Sequence, residues 1–339
     1  MKPITLRTVA QHAKVSIATV SKVVNGINKG ISDETVARVQ RIIQELNYRP
    51  SRLGRELRTR RNYIVGMAIV DDSPTFLTDP YITQLVAGLS NYLGTRNYGL
   101  LLHGIAPENF GNSFLLKESV VVAFCLMLSG PASSRRRFLN LVHASGHPMV
   151  VFQEQPQQTL TDCCFVNQDD EAGAQALARK IVARGPRLVF ILTPQLQWHA
   201  IQVRVKGLRK ILDSHHNCEY EIISSDENQR ESIVNALDTA MGTYGIPDVV
   251  VGTNDQLAYV AYRHLTDKGY RVPEDIGITG FNAFDIHPSL GPVLESVQSP
   301  AYDLGQAGGK ALMARLETGS FESPSLTLPV KPVAGTTLS

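Results

Sequence analysis

From Tyr63 onward, apolar runs of strand length alternate with stretches of helical period, and that alternation admits few folds. Ile64–Val70, Leu100–Leu102, Val120–Leu128, Met149–Phe152, Leu188–Leu192, Val249–Gly252 and Ile276–Thr279 read as buried strands. Between them, Gln84–Gly94, Glu171–Ala183, Val203–Leu212, Arg230–Met241 and Gln256–Lys268 read as helices. Strands followed by crossover helices build parallel sheets covered on both faces. About 275 residues of this pattern predict two such sheets with a cleft between them. Ligands in such folds sit beyond the carboxyl ends of the strands.

The first sixty residues differ in charge from the rest. Residues 1–61 hold 13 Lys and Arg against 4 Asp and Glu, whereas the remainder holds 20 against 27. A basic head on an acidic body points to a polyanionic partner for the head. A solubilising tail would also be basic, but this head is patterned rather than low in complexity. The four cysteines, Cys125, Cys163, Cys164 and Cys218, form no C-x-x-C pair and no zinc spacing, so reduced thiols and no metal or other cofactor are expected. Met1-Lys2-Pro3 runs into polar sequence, and the longest apolar run is too short for a bilayer. A cytoplasmic protein with no membrane partner is expected.

Within the head, Thr5 can cap a helix with the stripe Leu6, Val9, Ala10 and Ala13. Lys14-Val15 makes a tight turn, and Ser16 can cap a second helix with Val20, Val23 and Val24 inward. Asn25-Gly26 stops it, and a third helix opens at Ser32 with Asp33 and Glu34 in its first turn. Two short helices, a turn and a brace make a helix-turn-helix. Its second helix leaves Ile17, Ala18, Ser21 and Lys22 outward. In a major groove Lys can donate to guanine O6 and N7, and Ile and Ala can pack on a thymine methyl. Similar three-helix modules also bind proteins.

The run T-L-R-T-V-A-Q-H-A-K-V-S-I-A-T-V-S-K-V-V-N-G (Thr5–Gly26) and the later L-N-Y-R-P (Leu46–Pro50) closely resemble the DNA-binding headpiece of the LacI/GalR family of bacterial repressors. The resemblance implies that Ile17, Ala18 and Lys22 read bases, while Thr5, Ser16, Thr19, Ser21 and Asn25 hold phosphates. Lys14 stands where the family usually has Gly; a left-handed residue there costs roughly 1 kcal/mol. Residues 51–61 read either as a flexible basic linker or as a hinge helix that folds on DNA. By the resemblance, Leu57 is the residue that wedges into the minor groove, and Arg55 lies beside it among the DNA contacts. Gly54 stands where the family usually has Ala.

V-N-Q-D-D-E-A-G (Val166–Gly173), R-V-K-G (Arg204–Gly207), T-N-D-Q-L-A (Thr253–Ala258), V-P-E-D-I-G-I-T-G-F-N (Val272–Asn282) and Q-S-P-A-Y-D-L-G (Gln298–Gly305) resemble the family's sensor domain, which is related to periplasmic sugar-binding proteins. The fold implied is an all-α headpiece (1–50), a hinge (51–61) and an α/β body (62–339) of two doubly wound parallel-sheet subdomains. The first subdomain takes about 62–164 plus 299–324, and the second about 165–298 plus 325–339.

Effector contacts carry over onto Arg204, Asn254, Asn282, Gln153 and Gln298. Arg204 would grip sugar hydroxyls, although a surface salt bridge would explain an arginine equally simply. Gln153 and Asn282 each replace a common Asp, which predicts a less negative pocket, tolerant of an acidic or phosphorylated effector. Phe76, Tyr81 and Trp198 lie on predicted loops at strand ends, where an aromatic face can stack on a sugar or simply pack. Asp71 and Asp72 end the first strand and could face the cleft.

These readings add up to a homodimeric regulator with three partners: a near-palindromic double-stranded operator, a second copy of itself, and a small metabolite, a sugar first. No leucine-heptad tail follows the core, so a dimer is expected over a tetramer. The competing readings are a sugar receptor without DNA activity and an enzyme on the α/β body, for which no catalytic motif is found.

Overall fold

A computed structural model describes residues 4–49, 63–118, 120–284 and 292–338. The chain divides into two compact units, Met1–Tyr63 and Ile64–Ser339. The expected hinge, with Arg55 and Leu57, lies outside the described residues.

The first unit holds α1 (Leu6–Ala13), α2 (Ile17–Val24) and α3 (Asp33–Glu45). Each begins at a hydroxyl that accepts a backbone N–H three residues on: Thr5 from Thr8, Ser16 from Thr19, Ser32 from Thr35. Thr5 and Thr8 do so reciprocally, as a capping box. Lys14 ends α1 in the left-handed conformation, φ 53° and ψ 46°, so the strain expected at that turn is present. Val9, Ala13, Val20, Val23, Val36, Val39 and Tyr48 form the core. Arg38 of α3 donates to the Ala13 carbonyl, an end group that α1 itself leaves unsatisfied.

The second unit is built on two parallel sheets. The larger has the order β11-β5-β4-β3-β1-β2, from β1 (Ile64–Val70), β2 (Gly99–Ile105), β3 (Ala123–Leu128), β4 (Met149–Phe152), β5 (Cys163–Gln168) and β11 (Ser325–Leu328). The smaller has the order β7-β6-β8-β9, from β6 (Leu188–Pro194), β7 (Glu219–Ser225), β8 (Val249–Gly252) and β9 (Gly277–Thr279). A separate antiparallel pair joins β10 (Ser296–Gln298) and β12 (Lys331–Val333). Helices α4 (Pro80–Thr95), α5 (Ala132–His143) and α10 (Ala301–Thr318) serve the first sheet. Helices α6 (Asp170–Ala183), α7 (His199–Leu212), α8 (Arg230–Tyr244) and α9 (Asp255–Asp267) serve the second. Separate apolar clusters cover the two faces of each sheet, as in doubly wound folds.

The expected subdomain bounds need correction. β5 pairs with β4 on one side and with β11 on the other, so the first lobe keeps residues 165–168 and 325–328, which were assigned to the second. The chain passes between lobes just after β5, just after β10 and just after β11.

Glycines set how closely the covering helices approach. A Cβ on Gly88 of α4 would lie 1.9 Å from the Tyr302 carbonyl oxygen, and one on Gly305 of α10 would lie 2.1 Å from the Leu85 carbonyl oxygen. Gly305→Ala should therefore cost about 1–3 kcal/mol through backbone displacement. Gly242→Ala, in an exposed helical position with nothing near its Cβ, should instead stabilise by about 0.5–1 kcal/mol. Urea midpoints of the two variants check this; equal shifts would sink the packing argument.

Candidate functional site

In the head, the outer face of α2 presents Ile17 at 43% exposure together with exposed Ala18 and Lys22. Ser21 and Thr19 are half-buried on its flanks. Thr5 and Ser16 use their oxygens as cap acceptors, and their hydroxyls also meet those of Thr8 and Thr19 at 3.1 and 2.9 Å. Asn25 closes α2 by donating its amide to the Ser21 carbonyl. The apolar and cationic residues expected to read bases thus share one exposed stripe.

In the body, polar side chains gather where strands of both sheets end. The centre is Arg204, 3% exposed. Its Nε donates to Asp170 Oδ1 at 2.7 Å, Nη1 to the Thr253 carbonyl at 2.7 Å and Nη2 to Asn282 Oδ1 at 3.1 Å. Its guanidinium carbon lies 3.9 Å from the Phe281 ring centroid. Asp170 also accepts from Gln153 at 2.9 Å and from Gln168 at 2.7 Å, and Gln168 accepts from Ser299 at 2.6 Å. This chain runs past two of the points where the backbone changes lobe.

Gly207 explains why the pair forms. It lies one turn after Arg204, and a Cβ there would meet the Glu171 carbonyl oxygen at 2.7 Å. Without one, α7 closes on the start of α6 and brings Arg204 to Asp170. Arg204 is therefore neither a surface salt bridge nor a free fork; most of its donors are already used within the protein.

A cavity of about 950 Å³ opens beside this network, lined from the first lobe by Asp71, Phe76 and Asp79 and from the second by Trp198, Glu227 and Asn254. A smaller recess shares Asp79, Trp198, Glu227, Asn254 and Asn282 with it and adds Tyr81, Gln153 and Arg204. Asn254 caps α9 through Leu257 N–H at 2.9 Å and donates to Glu227 Oε2 at 2.5 Å. Asp79 caps α4 through Tyr81 N–H at 2.8 Å. Gln153 and Asn282 hold positive φ, 53° and 112°, strain stored at the lip of the site.

Three expectations change. The pocket is not poor in negative charge, because Asp79 and Glu227 supply from loops the carboxylates that Gln153 and Asn282 lack. Burial pushes Glu227 up to about 7 against the pull of Asn254, and Asp79 and Asp71 add to the rise. Burial likewise pushes Asp79 up to about 6. Asp71 is raised by burial too. Gln298 pairs with Lys331 and points outward, outside the lining, since the buried positions of β10 are Ser296 and Val297. Asp72 is exposed, while Asp71 faces the cleft. Asp79, Asp170, Gln168 and Glu227 were missed. Asp170 lies within the quoted V-N-Q-D-D-E-A-G, but its partner is 34 residues away.

The family described as bacterial regulatory proteins, lacI family, matches residues 5–51, and the periplasmic binding protein-like domain matches residues 178–338. Catabolite control protein A of Staphylococcus epidermidis is 27% identical over 329 residues, 96% of each chain. A lac repressor dimer bound to operator and the anti-inducer ONPF has the same fold, with a TM-score of 0.84 at 23% identity over 99% of each chain. A transcriptional regulator in complex with cellobiose gives 0.70 at 24% identity, over 98% of this chain and 99% of that one. Among the described residues no helix is long and apolar enough to cross a membrane.

Proposed function

Because the chain belongs to the lacI family of bacterial DNA-binding transcriptional regulators, we propose that it is a repressor whose hold on a near-palindromic operator is set by a small metabolite, a sugar or sugar derivative, in the cleft of Ile64–Ser339. The supporting observation is the convergence of polar side chains from both lobes on one cavity beside the points where the backbone changes lobe. Ligand that prefers the closed cleft shifts the lobes toward closure. It can act on DNA only through unequal affinity for the two states. A homodimer supplies two heads for two half-sites about 10 base pairs apart, or a multiple of that spacing. Repression then follows from occlusion of a promoter. The relatives are regulators, and we read the body as a receptor rather than an enzyme.

The test is in vitro selection of DNA by the full chain at about 0.15 M salt, which suppresses non-specific phosphate binding. Enrichment of a palindrome is expected. No enriched site, with or without bacterial metabolite extract, would overturn the regulator reading. On the selected site, Lys22→Ala should cost about 1–3 kcal/mol and relax preference at one base pair per half-site. Uniform loss on every sequence would make Lys22 a phosphate contact instead. Metabolite extract should alter operator affinity, and Asn254→Ala should blunt that response; an unaltered response would remove the cleft from the mechanism.

A further inference from the structure

We propose that the effector is a small organic cation, an amine-bearing polyol, whose ammonium is held between Asp79 of the first lobe and Glu227 of the second. The proposal rests on the cleft reading above and names the charge class of its ligand.

The charges around the cavity do not balance. Asp71, Asp79, Glu227 and Asp255 line it, against Arg204 in the adjoining recess and Arg263 at the rim. Arg204 is already neutralised by Asp170 and has further acceptors in Thr253 and Asn282. Arg263, its side chain 73% exposed, is paired with Asp267 at 3.3 Å. Asp255 is held by the Ser296 hydroxyl. Among the described residues, the groups that donate to Asp71, Asp79 and Glu227 are neutral: the backbone N–H groups of Ser73 and Asp72, the Tyr81 N–H and the Asn254 amide. Among the described residues, no Lys or Arg forms an ion pair with any of the three. The three carboxylates line one cavity and repel one another, and a counter-charge would relieve that repulsion.

A second observation points to a ligand at the same place. The Tyr81 hydroxyl is buried without a hydrogen-bond partner among the described residues, and Tyr81, 5% exposed, lines the recess with Asp79, Arg204 and Glu227. A buried phenol left unpaired costs free energy that a polar ligand atom would recover. Phe76 and Trp198 add aromatic faces suited to a cation or to C–H groups. A metal ion fits poorly, since no group of three or more His, Cys, Asp or Glu among the described residues could hold one. A neutral polyol would leave the carboxylate charge uncompensated, and an acid would add to it.

The raised acidities of Asp79 and Glu227 give the proposal a pH signature. A cation needs both groups ionised, so affinity must rise with pH through their range. Between pH 6 and 8 Glu227, with its value near 7, goes from about a tenth to about nine tenths ionised and Asp79, near 6, from about half to nearly all, a combined gain of about twentyfold.

The experiment is calorimetry on the full chain with two trios that share a carbon skeleton: sorbitol, glucamine and gluconate, then glucose, glucosamine and glucuronate. At pH 7 the amine should bind about tenfold or more tighter than its neutral mate, a modest share of a half-buried ion pair's Coulomb energy. The acid should give no heat. Glucamine affinity should rise about twentyfold from pH 6 to 8, while sorbitol stays flat. Glu227→Gln and Asp79→Asn, both isosteric, should each erase most of the amine preference. A neutral or acidic winner overturns the charge class and leaves the cleft as sensor. Amine binding untouched by both substitutions overturns the cleft as its site. Silence from both trios overturns the amine-polyol class, and the extract assay with Asn254→Ala then judges the cleft reading by itself.

Discussion

Asp170→Ala should lower the stability of the full chain by about 3–5 kcal/mol, because it strands the Arg204 guanidinium inside the protein without a counter-charge. Both side chains are 4% exposed, so water cannot take over the lost contact. The Thr253 carbonyl and the Asn282 amide oxygen still accept from Arg204, but neither is charged. A loss of this size should bring the melting temperature down by roughly 10 °C. Asp170→Asn keeps the volume and one acceptor and should cost about half as much. Replacing an isolated buried pair by apolar residues is often neutral. Here Arg204→Met with Asp170→Leu should not recover wild-type stability, because Gln153, Gln168 and Asn282 all lose partners with it. A double variant as stable as wild type would show that the chain of hydrogen bonds does not act as a unit.

The sequence carried the frame of this molecule further than its site. Most buried central strands announced themselves as apolar runs, and Thr5, Ser16 and Ser32 marked the helix starts, because caps and buried strands are local chemistry; β5 did not, since Asn167 and Gln168 leave it only a short apolar stretch. β7 was passed over because it is an edge strand with one wet face, so Glu219-Tyr220-Glu221 breaks the apolar run. α10 was passed over because Gly305, Gly308 and Gly309 weaken a helical pattern. Those glycines answer to packing against α4 and β4, which only the tertiary structure shows. Arg204, Asn254 and Asn282 were legible by resemblance and do meet in one place. The acidity of the cavity was not legible. Asp79 reads as an ordinary cap and Glu227 as one of several charges in a polar loop. Their approach depends on two lobes folding toward one another.

Arg135→Ala should also cost about 3–5 kcal/mol, yet its remedy should differ from that of Asp170. In Arg135-Arg136-Arg137 only the first arginine turns inward, at 2% exposure, because it shares the buried face of α5 with Phe138, Leu139 and Val142. Its Nε donates to Glu154 Oε2 at 2.5 Å, and Nη1 donates to the Gly130 carbonyl. Glu154, 4% exposed, has its other oxygen on the Gln155 N–H at 2.8 Å. Few side chains depend on this pair, so Glu154→Gln placed in the Arg135→Ala chain should restore about half of the loss by removing the stranded charge. Arg135→Met with Glu154→Leu should come within about 1 kcal/mol of wild type. Stability would return without the lobe contact, however. The Gly130 amide donates to the Gln197 carbonyl of the second lobe at 2.8 Å, and the arginine fixes the loop that carries it. Hydrogen exchange at Gly130 should therefore quicken in the single and double variants alike. If exchange at Gly130 stayed slow in the stable double variant, Arg135 would be a core ion pair alone, with no part in holding the lobes together.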